Sequence, residues 1–165
     1  MMKEFWNDRF AADEYIYGMQ PNMFFASCLK LMKPGKLLLP GEGEGRNAVW
    51  ASQLGWDVDA IDYSATAKAK ALRLAELNQT RLASYQIMDL NELQINKSDY
   101  DAIGLVFVHL LPAERSQLHR KLAQALKPGG SIILEAFTTD QLHYQSGGPR
   151  NPLMLYNADQ LSEDF

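Results

Sequence analysis

Two rhythms of apolar and polar positions alternate along this chain. Short, nearly unbroken apolar runs read as strands: "KLLLP" (Lys36 to Pro40), "WDVDAID" ending at Asp62, part of "RLASYQIMDL" ending near Asp89, "YDAIGLVFVHL", and "GSIILEAF". Between them lie stretches with helical character. "RNAVWASQL" carries small residues at Ala48, Val49, Ala51 and Ser52, "ATAKAKALRLAELNQ" is rich in alanine and leucine behind a capping Ser64, and the stretch from Pro112 to Leu126 repeats Leu118, Leu122, Ala125 and Leu126 on one face. Lys-Pro-Gly stops recur in "LKLMKPGKLLLP" and "LAQALKPGGSIILEA", each a helix end followed by a strand. Strands separated by helices predict parallel pairing through right-handed crossovers, hence a doubly wound, mostly parallel α/β sheet. Residues 1–32 read as a helical cap segment, with Pro21-Asn22 starting its second helix, and 33–165 as the Rossmann-like core of a single domain.

Near the end, "NADQLSEDF" has the form of a helix start capped by Asn157 or Asp159. Five strands leave the outer edge of the last, around Ile132 to Leu134, apolar and unpaired, an arrangement that proteins cover. The expectation is a sheet truncated before its last two strands, or one completed by a second copy in a homodimer.

Composition narrows the partners. With 165 residues, 47% of them hydrophobic, the chain fits one globular core. A net charge of −4 speaks against a nucleic-acid partner. The longest apolar run, Ala102 to Leu111, is half of the ~20 residues a membrane span needs. A single cysteine, Cys28, set among apolar residues, reads as a core side chain and points to a reducing, cytoplasmic location.

The chemistry concentrates in "PGEGEGRN", between the first strand and the helix that follows. Glycines at 41, 43 and 45 permit positive φ and let a ligand approach the backbone. In open α/β sheets ligands bind beyond the carboxyl ends of the strands, where the strand order reverses. A dinucleotide fingerprint, G-x-G-x-x-G, needs a third glycine where Arg46 stands. Glu42 and Glu44 repel a pyrophosphate and suit a cation. Asp62, seventeen residues after Gly45, ends the second strand, where a carboxylate can accept both hydroxyls of a ribose. Asp89 ends the third, within reach of an adenine amino group. A nucleoside bearing a positive sulfonium and a methionine tail, S-adenosyl-L-methionine, satisfies this set. Plainer readings stand beside each: Asp62 as a helix cap, Asp89 as the cap of a turn into "NEL", Glu42 and Glu44 as solvated loop charges.

"GEGEGRNAVW" followed by "VDAIDYS", "MDL" and "LKPGGSIILEAF" resembles the class I S-adenosylmethionine-dependent methyltransferases. "FWNDRFAADEYIYGMQPN" and "QLHYQSGGPRNPLML" narrow the likeness to the tellurite-resistance and thiopurine methyltransferase-like branch, over nearly the whole chain. The resemblance implies that Gly41, Glu42, Gly43 and Gly45 line the methionine part of the cofactor. It implies Asp62 at the ribose and Asp89 beside the adenine, with Tyr63 and Leu90 also among the cofactor-binding residues. The backbone around Val108 and His109 falls at the methyl-transfer face. Arg46 pairs with the cofactor carboxylate or braces the loop, and Tyr17 and Gly18 belong to the segment that closes over the cofactor. The class has two further strands after the position of Phe165.

The implied activity is methyl transfer to a small-molecule acceptor, with no metal. A thiol, selenol or tellurium oxyanion needs no general base; an oxygen or nitrogen acceptor makes His109 the candidate base, against the alternative of a histidine packed at a strand end. His119, in mid-helix, reads as a surface residue. His143, Tyr144 and Arg150 share a loop that can shape the acceptor pocket, with Arg150 either attracting an anion or solvated. Two other readings remain: a module that binds the cofactor without catalysis, and a nicotinamide-dependent oxidoreductase, which the missing third glycine disfavours.

Overall fold

A computed structural model describes residues 2–165, with side chains from Glu4 onward. Five strands form one sheet: β1 (Lys36–Pro40), β2 (Asp57–Asp62), β3 (Ser84–Ile87), β4 (Tyr100–Val106) and β5 (Leu126–Glu135). Their order is β3-β2-β1-β4-β5, and every neighbouring pair is parallel. The chain winds outward from β1 to β3, returns to β4 beside β1, and winds outward again, so the order reverses between β1 and β4. This is the doubly wound sheet that the alternation of rhythms predicts.

Among the described residues six α-helices accompany it: α1 (Met2–Arg9), α2 (Met23–Leu29), α3 (Arg46–Gln53), α4 (Ala65–Leu77), α5 (Pro112–Ala125) and α6 (Ala158–Asp164). Their starts are chemically marked. Asn22 caps α2 through the Phe25 N–H, Ser64 caps α4 through the Ala67 N–H, Pro112 opens α5, and Asn157 forms a reciprocal capping box with Gln160 at α6.

Two apolar layers enclose the sheet. One gathers Leu37, Leu39, Val58 and Ala102 with Phe25, Leu29, Ala48 and Ala51 of the helices on that side. The other packs Leu38, Ile61, Ile103 and Leu105 against Leu118 and Leu122 of α5. Alternate residues of β1 and β4 therefore serve opposite layers, which is why residues 37–39 and 102–106 are apolar without a break.

Strand limits depart from the sequence expectation at two places. β4 stops at Val106, because Phe107 turns into the left-handed region (φ 56°) although its N–H still bonds Glu135 O at 2.8 Å. β5 begins directly after α5 instead of at Gly130: Tyr100 pairs with Leu126 and Ala102 with Ser131, so the Lys-Pro-Gly-Gly segment bulges out within the pairing. β5 pairs only with β4 among the described residues. No helix among them is long and apolar enough to cross a membrane.

Candidate functional site

The reversal of strand order puts the loop after β1, Gly41–Gly45, beside the turn after β4, Phe107–Leu110. Gly41, Gly43 and Gly45 all have positive φ (68°, 66° and 89°). The first and third are demanded by the protein's own packing. A Cβ on Gly41 would stand 2.8 Å from Val108 Cγ2, and one on Gly45 would stand 2.5 Å from the Cβ of Ala71 in α4. Gly43 faces Phe10, whose ring edge lies 3.4 Å from the position of a Cβ there. Phe10 is buried and stacks on Trp6, and Asn7 bonds Ser64 at 2.6 Å, so α1 rests directly against the loop.

The polar side chains of the loop do three different things. Glu42 is buried, and its Oε1 accepts the N–H groups of Asn47 (2.9 Å) and Ala48 (2.7 Å), at the start of α3. Burial lifts its carboxyl to about 7, with those N–H groups opposing. A carboxylate thus fills the place where a helix N-terminus receives a phosphate.

Glu44 is neither solvated nor turned toward a ligand. Its two oxygens take the Ile16 N–H (2.8 Å) and Lys70 Nζ (2.5 Å). Lys70 also donates to the carbonyls of Ala12 and Glu14. Arg46 donates to Tyr17 O at 3.0 Å, and Asn47 Oδ1 accepts the Asn22 N–H at 2.8 Å. Three polar anchors, Glu44, Arg46 and Asn47, therefore hold the strap between α1 and α2, with Arg46 bracing it through Tyr17 O. Tyr17 is half exposed, with the guanidinium groups of Arg9 and Arg46 lying 5.7 and 5.8 Å from its ring centroid.

Asp62 stands at the tip of β2, buried. Oδ2 accepts the Gly43 N–H (2.9 Å) and Oδ1 the Ser64 N–H (3.0 Å), so it ties the glycine loop to the start of α4 while Ser64 supplies the cap itself. Burial raises its carboxyl above the usual range. Asp89 lies two residues past the end of β3 and does cap the turn into Asn91 (2.8 Å); the same oxygen accepts the Tyr63 hydroxyl at 2.9 Å. Tyr63 is pushed up by burial and by this bond. Leu90 is buried in the layer under α5.

Beyond β4, His109 uses both ring nitrogens. Nδ1 donates to Met154 O (2.7 Å) and Nε2 accepts the Phe137 N–H (3.2 Å), which fixes one neutral tautomer. Burial lowers its pKa. Of the two expectations for His109, this geometry matches the histidine packed at a strand end, with neither nitrogen offered to an acceptor. Tyr156, which the sequence reading missed, spans the turn: its hydroxyl donates to Val108 O (2.9 Å) and accepts the Leu110 N–H (2.8 Å). His119 is not a surface residue. It is buried on α5, its Nδ1 2.9 Å from Asp164, which also receives Arg115 at 2.6 Å. Its place was legible, since 115, 118, 119, 122 and 125 share one helical face. Tyr144 and Arg150 are exposed, and the Arg150 guanidinium donates to the Tyr144 carbonyl at 3.2 Å.

A hollow of about 200 Å³ opens between the strap and α4, bordered by Phe10, Tyr15, Thr66, Lys70 and Arg73. Phe10 thus stands between that hollow and Gly43. Among the described residues no group of His, Cys, Asp or Glu could hold a metal ion.

A glycine loop at the reversal point, with carboxylates at the tips of three neighbouring strands and the α3 N-terminus already filled, has the donor set for a cationic nucleoside, and the fold is that of the class I S-adenosylmethionine-dependent methyltransferases. Residues 8–147 match the family model described as tellurite resistance protein TehB, and the chain belongs to that family. Hemagglutinin 1 of Eikenella corrodens is 32% identical over 114 residues, 67% of this chain but 37% of that protein. Thiopurine S-methyltransferase of Vibrio cholerae serotype O1 is 26% identical over 163 residues, 88% of this chain and 74% of that one. Phosphoethanolamine N-methyltransferase 2 of Haemonchus contortus, solved with phosphomonomethylethanolamine and S-adenosylhomocysteine, shares the fold at a TM-score of 0.66 and 22% identity, over 97% of this chain and 40% of that chain. The chain therefore spans well under half the length of two of these three proteins.

Proposed function

We propose that this chain transfers a methyl group from S-adenosyl-L-methionine to a small-molecule acceptor that is a soft nucleophile, such as a thiol or a tellurium or selenium oxyanion. When bound, the cofactor supplies a methyl carbon already activated by its sulfonium. The observation that carries the reading is the set of carboxylates: Glu42 at the α3 N-terminus, Asp62 at the tip of β2 and Asp89 after β3. They favour a cationic ligand, and Glu42 takes the N–H groups a pyrophosphate needs, which disfavours a nicotinamide dinucleotide.

Asp62 receives the ribose hydroxyls through the lone pairs its two backbone bonds leave, and Asp89 lies beside the adenine. The glycine loop lines the methionine tail, and the strap with Tyr17 shuts out water. These residues bind and align; in-line displacement asks for little else. The occupied nitrogens of His109 support an acceptor that arrives as an anion and needs no proton removed. The same geometry also favours a second reading, a module that holds the cofactor without turning it over.

Isothermal titration with S-adenosylmethionine and S-adenosylhomocysteine, followed by mass spectrometry of thiols, tellurite and selenite as acceptors, separates the two. Binding with methylated product supports the enzyme. Binding with no product from the whole panel favours the module, and no binding of either nucleoside overturns both.

A further inference from the structure

The turn after β4 is held from a distant part of the chain. Phe107 adopts φ 56°, unfavourable for a bulky side chain. Three residues later the Leu110 N–H is buried, and in between stand the carbonyl of Val108 and the imidazole of His109. Each of these polar groups is answered by the region after β5. The Tyr156 hydroxyl takes Leu110 N–H and gives to Val108 O. Met154 O and Phe137 N–H hold the two nitrogens of His109. Tyr156 is itself fixed: its N–H bonds Phe137 O, its ring lies 5.1 Å from that of His109, and the Arg115 guanidinium sits 5.2 Å over it, bound to Asp164 of α6.

What the turn supports is the glycine loop. Val108 Cγ2 lies against Gly41, so close that no Cβ fits between them. A displacement of Val108 is therefore a displacement of Gly41, because close-packed groups transmit shifts rather than absorb them.

We propose that Tyr156 is a positioning residue for the cofactor: through Val108 it sets the height of Gly41, although it lies 115 residues further along the chain. This rests on the methyltransferase reading above. It makes the segment after β5 part of the cofactor site as well as of the acceptor side, and it assigns His109 to the same brace.

The test is a double-mutant cycle read by S-adenosylhomocysteine affinity, which needs no knowledge of the acceptor. Tyr156→Phe keeps the ring and removes both bonds; the dissociation constant should rise by about tenfold or more, the scale for orphaning buried backbone groups. Val108→Ala removes the contact with Gly41. If Tyr156 acts through Val108, adding Tyr156→Phe to Val108→Ala costs little more, whereas a purely structural role gives additive losses. If Tyr156→Phe does not fold, His109→Asn, which releases one side of the brace, takes its place in the cycle with the same expectation. Additive effects, or unchanged affinity in a folded Tyr156→Phe, overturn the inference while leaving the methyltransferase reading intact. Failure of the wild-type chain to bind S-adenosylhomocysteine overturns that reading and this inference with it.

Discussion

At the scale of single residues, the carboxylates at the strand tips carry the consequences. Asp62→Ala removes an acceptor from the proposed ribose and should weaken S-adenosylmethionine binding by ~1–3 kcal/mol in calorimetry; unchanged affinity would leave Asp62 with only its backbone bonds to Gly43 and Ser64. Glu42 speaks through pH. Its folded pKa, about 7, lies above the value of 4.5 for a free side chain. The folded state thus holds a proton that the unfolded state releases, and the stability this confers is present below pH 4.5 and lost as pH rises through 7. Glu42→Gln keeps the acceptor for α3 and abolishes the titration. In thermal melts the variant should gain on wild type between pH 5 and 8, by on the order of 3 kcal/mol in the limit of full burial. The positions of these acids were legible, because each closes an apolar run. Their partners were not. Whether a carboxylate at a strand tip turns to a ligand, to its own helix or to a strap depends on residues up to 28 positions away, as Glu44 and Ile16 illustrate.

At the scale of elements, the glycine loop is a joint between α3, α4 and the turn after β4. Gly45→Ala would force a left-handed backbone on alanine and drive its methyl into Ala71 of α4, with the Cα of that residue only 2.8 Å away. The expected cost is about 3 kcal/mol, left-handed strain and overpacking together, measurable as a lower midpoint in urea with an unchanged slope. The sequence reading assigned all three glycines to a ligand; Gly41 and Gly45 are in addition closed in by neighbours within the chain, Val108 and Ala71. Strands and helices themselves were readable, since hydrophobic period and caps are local: Asn22, Ser64 and Asn157 each cap the helix expected of them. β4 and β5 escaped their expected limits for tertiary reasons. A left-handed Phe107 ends one, and pairing of Leu126 with Tyr100 begins the other before its Lys-Pro-Gly-Gly bulge.

At the scale of the whole molecule, two segments outside the sheet are fastened to the core by polar groups. The strap before α2 is fastened by Glu44, Arg46 and Asn47, while α6 is fastened to α5 by a buried cluster of Asp164, Arg115 and His119. Burial pushes Asp164 upward, but Arg115 and His119 outweigh it and hold it below the ordinary range. No local pattern announces such pairings, which join residues 45 to 49 positions apart in the cluster alone. His119 shows the lesson in small: its helical face was on view, its carboxylate partner was not.

The contact of Phe10 with Gly43 has an optical consequence. Trp6 stacks on Phe10 at 5.4 Å and is half-buried, whereas Trp56 is sealed in the core and Trp50 sits edge-on to Phe25. If the cofactor's methionine tail runs along the glycine loop as proposed, its arrival over Gly43 would displace the Phe10 ring, and the indole riding on it would change surroundings as well. Titration with S-adenosylhomocysteine should therefore shift the intrinsic emission of the protein, and Trp6→Phe should silence that signal while binding persists in calorimetry. The chain would carry its own fluorescent gauge of occupancy at the glycine loop.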